Sequence, residues 1–508
     1  MPNTAKVQFN LGNFTPGISD PQPAIFAVIG ITKRGPVEQP ELFIINSWAQ
    51  FERIYGGLID STSTFPFLCK RALARGARLR VCRPNAVSVA AVTAIAKNIQ
   101  NADGAPVTLF QVQPKYPGAD YNNVSIQIAD PSNGITADYW DMYITHALEP
   151  SLNEYYYNLP KFVDGPASAQ TALDEVKAMS QLLNFTYVDT TTGTLMRPAT
   201  AAASAFTGGV DPSGHAASDY VAAMNAFDNV DDCMIMAVPE MSTTAINQGG
   251  ATYCHTRKDM VFFAHLANTL TTATTLTAER TTIANNSPYF AMFGGGIRLR
   301  EERTLVEKPY SEMGDVLGIA AYVHNSFGPW YSLAGWNRSQ IQDALGVVNN
   351  FGTPSSFSDL NTIANSQINM MVQKNGITQI SGNFSGQLAN DQMKFLSVVF
   401  LTIYLKRTLK PILEQYLEEP NDPLTFKKIY YHLKPFLDRM TSPDYRALYK
   451  YEYYGDQDAN TIDDLQVNNP VDVQNGKYKI NLKIWPIPSM QELTFNLMLV
   501  QGEGVYIS

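Results

Sequence analysis

Val7, Phe9 and Leu11 alternate with Lys6, Gln8 and Asn10, the period of a half-buried strand. Gly12, Pro16, Gly17, Pro21 and Pro23 follow, so this strand is expected on an extended arm, residues 1–23. The body opens with the unbroken apolar run 24–31 (AIFAVIGI), which suits a strand buried on both faces. After a turn at 33–36 and a short apolar stretch at 42–45, Ser47 can cap a helix carrying Phe51, Ile54 and Tyr55, ended by Gly56-Gly57. A second helix around 67–74 feeds a strand at 77–81, and strand–helix–helix–strand is an α/β layout.

From residue 87 to 206 the texture becomes β-rich or mixed. Short strands are expected at 107–112, 124–128 and 139–144, and the Ala/Thr-rich stretch 190–205 reads as a linker. The α/β pattern resumes at Gly208-Gly209, with helices at 219–227 and 253–267 and strands at 232–238, 289–293 and 377–380. Asn390 or Asp391 can cap a helix carrying Leu396, Val399, Phe400 and Ile403, which must kink or end near Pro411. Asp422-Pro423 opens another, with Phe426, Ile429 and Leu433. The cleanest alternation comes last: Tyr478, Ile480, Leu482 and Ile484, then, beyond two prolines, Leu493, Phe495, Leu497 and Leu499. The expected fold class is α/β (α+β mixed). A discontinuous core of 24–86 and 207–476 carries an inserted surface domain, 87–206, and C-terminal strands, 477–508.

Composition shifts the picture towards assembly. The hydrophobic share of the 508 residues is 45% and the charged share 16%, which leaves surface for neighbours. A formal net charge of −9 argues against a dedicated nucleic-acid binder. The densest basic cluster, 71–83 (RALARGARLRVCR), reads as the solvated side of a helix and strand. Cys69, Cys82, Cys233 and Cys254 show no CxxC spacing and read as buried thiols in a reducing compartment. The N-terminus lacks the apolar core of a signal peptide, and no 18-residue apolar window occurs, so no membrane insertion is expected.

The chemistry-bearing residues form no recognisable site. The glycines 294–296 lack the spacing of a phosphate cradle and fit a tight turn after a strand. Cys254-His255 with His265 is the one grouping that invites a metal, and a helical spacing of nearly three turns separates the two histidines. HExxH and GxSxG are absent. Asp228, Asp231 and Asp232, and Asp456 and Asp458, are explained by helix ends and turns. The tyrosine-rich stretch 429–454 is expected to pack within or between subunits, since base stacking needs a basic groove. No catalytic, metal or cofactor-binding residue is assigned, no cofactor is expected, and the chain is expected not to be an enzyme.

The termini carry more. A period-two strand on a proline-rich tether presents unpaired backbone groups, and adding it to a sheet edge in another molecule resolves that exposure. Strands at both ends favour exchange between subunits.

In order along the chain, Ala27-Val28-Ile29-Gly30, Arg34-Gly35-Pro36, Pro40, Phe51 and Tyr55-Gly56-Gly57 resemble the N-terminal signature of the contractile tail sheath family. Residues 78–83 (RLRVCR), Tyr116-Pro117-Gly118 with Asn122-Asn123, 206–210 with Asp219-Tyr220, 314–325, Gly328 to Trp330 and 368–376 are similar to its later segments. Phe293-Gly294-Gly295 stands where many sheaths carry a proline–tryptophan pair, and the family's WG-type element is indistinct near 381–384.

The resemblance implies a structural subunit that forms hexameric rings stacked helically around an inner tail tube protein. The assembly would be bounded by baseplate and tail terminator proteins. It contracts to drive the tube through a target cell envelope, with no nucleotide and no direct nucleic-acid contact. It implies a place in the tail sheath of a virion assembled in the bacterial host cytoplasm, or in a related contractile injection system. Strand exchange between subunits would run through Val7, Phe9, Leu11, Tyr478, Ile480, Leu482, Ile484, Leu493, Phe495, Leu497 and Leu499. Lys406, Arg407 and Lys410 are the candidates for tube contact. Another tail or capsid component is the alternative within the structural class, and a cytosolic α/β enzyme the alternative outside it.

Overall fold

The computed structural model describes residues 24–59, 63–102, 107–135, 138–162, 166–188, 197–302, 305–389, 391–455, 468 and 470–489. The arm with Val7, Phe9 and Leu11, and the last strand with Leu493, Phe495, Leu497 and Leu499, lie outside these residues.

The core is a seven-stranded sheet. Its spatial order is Ile377–Ser381, Ile368–Lys374, Phe290–Gly294, Val261–His265, Ile235–Ala237, Ile25–Ile29 and Arg78–Cys82. All neighbours run parallel except the edge strand Ile377–Ser381, which is antiparallel. Parallel strands must be covered on both faces, and Ile25–Ile29 is buried at every position. Phe26 and Val28 point into one apolar layer, Ile25, Ala27 and Ile29 into the other.

Helices Trp48–Tyr55, Phe65–Ala74, Met313–Ser326, Leu396–Glu414 and Pro423–Met440 cover the first face. Helices Ala217–Met224, Thr244–Arg257, Ala273–Ile283 and Phe357–Asn365 cover the second. The caps follow their chemistry. Ser47 accepts from the Gln50 amide, Asp422 accepts from the Thr425 amide at 2.8 Å, and Pro423 takes the first turn. Asp391 caps the short turn Gln392–Lys394 that precedes the Leu396 helix.

Residues 94–206 gather a third apolar cluster of their own around Trp140, Phe110 and Phe185. Two antiparallel sheets enclose it. One joins Lys97–Gln100, Thr108–Pro114 and Leu183–Tyr187; the other joins Glu154–Pro160, Tyr139–His146, Val124–Ala129 and Ala201–Ala205. The helix Pro166–Met179 packs against Leu183–Tyr187.

Of four expectations, three are corrected here. Residues 253–267 are not one helix: Thr244–Arg257 ends at Lys258 in the left-handed region (φ 59°), and Val261–His265 is a core strand. The stretch 190–205 is no simple linker, because Ala201–Ala205 pairs with Val124–Ala129. One holds: the helix with Pro411 ends near it, at Glu414. Pro411 sits in its last turn, where the missing amide frees a single carbonyl. The strand begun at Tyr478 is regular only from Asn481 to Pro486.

Candidate functional site

An open α/β sheet offers ligands a crevice where the strand order reverses, beyond the carboxyl ends of the strands. Here that point lies between Ile25–Ile29 and Ile235–Ala237, and the chain fills it itself. A Cβ on Gly30 would meet the Phe65 ring at 2.2 Å, so the Phe65–Ala74 helix closes on the strand end. Glu240 then occupies the start of that helix. Its Oε2 accepts from Ser63 Oγ at 2.7 Å and from the amides of Thr64 and Phe65 at 3.1 and 3.2 Å. This is the place where helix amides elsewhere hold a phosphate. Burial pushes the Glu240 carboxyl up in spite of those donors.

The glycine turn behaves alike. Gly295 (φ 106°) and Gly296 (φ 55°) turn the chain into the strand Ile297–Arg300, and the Gly296 amide donates to Glu312 Oε2 at 3.2 Å. Glu312 Oε1 lies 2.9 Å from His265 Nδ1, whereas His255 contacts Ser287 Oγ. His255 and His265 thus serve separate contacts, and among the described residues no group of three His, Cys, Asp or Glu could hold a metal. All four cysteines are free and buried, and burial pushes their thiols up. No helix among the described residues is long and apolar enough to cross a membrane.

Several of the motifs that carry the resemblance, those around Arg34, Arg83, Pro117-Gly118, Asn122 and Gly209, meet at one seam between the core and residues 94–206. Arg34, 1% exposed, donates to Asp120 Oδ2 at 2.7 Å, to Glu149 Oε2 at 2.8 Å and to the Glu52 carbonyl at 2.7 Å. Arg83, also 1% exposed, donates to the Pro117 carbonyl and to Asp211 Oδ1. Asn122 exchanges two 2.9 Å hydrogen bonds with the Gly209 backbone. A Cβ on Gly209 would meet the Gly118 carbonyl oxygen at 2.3 Å, so only glycine allows this approach. Sequence reading found these segments without finding that they touch. The signal was a pair of arginines set in glycine- and proline-bearing loops.

The basic cluster 71–83 is corrected accordingly. Arg71 forks onto Asp315 and Asp343, Arg75 reaches the Gln340 carbonyl, and Arg80 pairs with Asp232. These side chains pin the helix and strand to distant elements instead of facing water.

The strand Asn481–Pro486 pairs antiparallel with Leu448–Tyr454 in a two-stranded ribbon. Tyr478, Ile480, Leu482 and Ile484 all pack on the main core, as their alternation requires, and Tyr478 stacks on Phe426 with ring centroids 4.0 Å apart. The tyrosine-rich segment packs within the chain: Tyr430 meets Tyr453 at 5.1 Å, and Tyr451 donates to Asp438. A ribbon of two strands has two outer edges, and neither is paired among the described residues.

Of the three tube-contact candidates, Arg407 is corrected. Its guanidinium donates to the carbonyls of Asp232, Cys233 and Asp259, tying the Leu396–Glu414 helix to the sheet, and burial pulls its pKa down. Lys406 and Lys410 are exposed; Lys410 pairs with Glu414 one turn on.

No family model and no curated protein matches the sequence. Solved structures do match the fold. The sheath tail protein Lin1278 of Listeria innocua aligns at TM-score 0.58 and 10% identity, covering 92% of this chain and 95% of that one. The sheath tail protein of Desulfitobacterium hafniense aligns at 0.54 and 12%, covering 88% and 90%. The helical sheath of the anti-feeding prophage in its contracted state aligns at 0.54 and 12%, covering 98% and 99%. The chain therefore has the fold of the contractile tail sheath proteins.

Proposed function

We propose that this chain is the sheath subunit of a contractile injection tail, a structural protein that polymerises helically around an inner tube. The observation that carries the reading is the alignment over almost the whole of both chains with a subunit of a helical sheath. Residues 24–86 and 207–476 form the core in this reading, and 87–206 an outward-facing domain held by Arg34 and Arg83. Hexameric rings, an inner tube protein, a baseplate and a terminator are its partners. The virion tail, or a related injection system, is its location.

Work in such a subunit is mechanical. The open edges of the ribbon are suited to accept strands from neighbours, here the arm with Val7, Phe9 and Leu11 and the segment with Leu493, Phe495, Leu497 and Leu499. Main-chain hydrogen bonds of that kind persist while lateral faces repack, so subunits can shift without separating. Lys406 and Lys410 are the cations left to face a tube. The carboxylates of Glu240 and Glu312 engage the backbone amides that a nucleotide phosphate would need, in keeping with a device that uses no nucleotide.

Electron microscopy of the purified chain tests the proposal: helical tubes or stacked rings are expected, and uniform monomers under all assembly conditions overturn it. A second reading is a baseplate component, because a chain of the anti-feeding prophage baseplate aligns at TM-score 0.54 over 99% of this chain. Single closed rings that never stack favour that reading.

A further inference from the structure

A groove of about 1050 Å³ runs beside the antiparallel edge of the core sheet. Its walls are the helix Phe357–Asn365, the strand Ile368–Lys374, the loop holding Trp330 and Arg338, and residues 487–489, where the chain leaves the ribbon. Four cations line it, Arg338, Lys374, Lys394 and Arg446, and no carboxylate does. Two lining amides add a second demand. Asn383, 5% exposed, donates through Nδ2 to Ser397 Oγ and Ser489 Oγ, each at 3.0 Å, while its Oδ1 is buried without a partner. Gln367 Oε1 is likewise buried and unpartnered. The groove thus asks for negative charge and for hydrogen-bond donors together. A sulfate or a phosphodiester group supplies only the first; an acidic peptide, with carboxylates and backbone amides, supplies both.

The chain contains such a peptide. Residues 456–467 (DQDANTIDDLQV) carry Asp456, Asp458, Asp463 and Asp464 and no Lys, Arg or His. The segment starts after Gly455, at the Tyr454/Asn481 end of the ribbon, whereas Arg446 and residues 487–489 sit beyond the Leu448/Pro486 end. Six residue steps of strand, about 20 Å, separate the two ends. Twelve residues tethered at Gly455 and Asn468 can carry their midpoint at most about 20 Å from those anchors. We propose that the acidic segment 456–467 of one copy docks in the basic groove of the next. Donor and acceptor lie at opposite ends of one ribbon, so the contact joins two different patches and one copy can pass it on to the next, into a ring or helix. This deepens the assembly reading above and rests on it only in needing more than one copy.

Sedimentation velocity on the full-length chain tests it, because pairs register as well as long tubes. A groove variant, Lys374→Glu with Arg446→Glu, and a loop variant, Asp463→Lys with Asp464→Lys, are each expected to lose at least tenfold in self-association while melting as wild type. Mixed in equal amounts they are expected to recover it, since each reversed loop then meets a reversed groove on the other chain. Wild-type association by both variants overturns the proposal. So does loss without recovery on mixing, which assigns the groove to another anion such as a nucleic acid. Recovery only when all four changes share one chain assigns the loop to its own groove and overturns it too. A chain that pairs in this way yet builds no tube fails the sheath reading alone; tubes built by both variants fail this one alone.

Discussion

Arg34 and Asp120 lie 86 residues apart in sequence and meet at 2.7 Å across the seam between the core and the insertion, both side chains almost wholly buried. His146 stands 3.4 Å from the same carboxylate. Burial alone would push the Asp120 carboxyl up, but His146 and Arg34 outweigh it and hold the group at about 2, below its ordinary 3.8.

A depressed acid stabilises the fold above its unfolded pKa and loses that contribution as pH falls through the folded value. Acid unfolding of the insertion should therefore steepen between pH 3.8 and about 2, with about 2 kcal/mol at stake. Denaturant titrations across that range check it. Asp120→Asn should be less stable at neutral pH and should lack the steep segment.

Among the described residues Arg71 is the one ion-pair partner of the buried Asp315, bonding both its carboxylate oxygens at 2.7 Å. Arg71→Ala leaves that carboxylate buried and uncompensated, and should cost about 3–5 kcal/mol in chemical denaturation. Adding Asp315→Asn should recover part of the loss, since it removes the stranded charge. Asp343→Asn, at a far more exposed acid, should cost under about 1 kcal/mol.

Gly314 lets the helix Met313–Ser326 cross the helix Phe65–Ala74 at backbone contact: a Cβ there would lie 2.8 Å from the Leu68 carbonyl oxygen and 2.9 Å from its Cα. Gly314→Ala should destabilise the core by about 1–3 kcal/mol, read as a lowered melting temperature. Gly376→Ala meets no neighbouring atom and should cost only the strain of its positive φ, about 1 kcal/mol.

Deleting residues 1–12, or everything after Met490, should leave the circular dichroism and melting of the core unchanged and abolish polymerisation seen by electron microscopy. Normal tubes from either truncated chain would contradict strand exchange.

Much of the core was legible because its signals are local. The run 24–31, the Ser47 and Asp422 caps and the alternation through Leu482 and Ile484 each declare themselves within a few residues. What was not legible is non-local. Arg71, Arg80 and Arg83 read as a solvated basic stripe because their partners Asp315, Asp232 and Asp211 lie 244, 152 and 128 residues away. Residues 201–205 (AAASA) have no strand propensity to announce them, and only the neighbouring Val124–Ala129 makes them a strand. Arg407 looked like surface because a cation near a helix's end usually is. The carbonyls that bind it come from two loops of the core.

The core sheet also sets a clock. Phe26 pairs with Ile235, so the first strand gains its inner neighbour only after about 210 further residues have been made. At ribosomal rates of about 5–20 residues per second that is a wait of roughly 10–40 s. The intervening residues 94–206 own a complete apolar cluster and can fold during the interval. The ribbon, whose strands come after residue 447, is made last of the described elements. The two outer edges of the ribbon therefore emerge only after every strand of the core sheet has been made, whereas the inner edge of the first strand stands open throughout the wait.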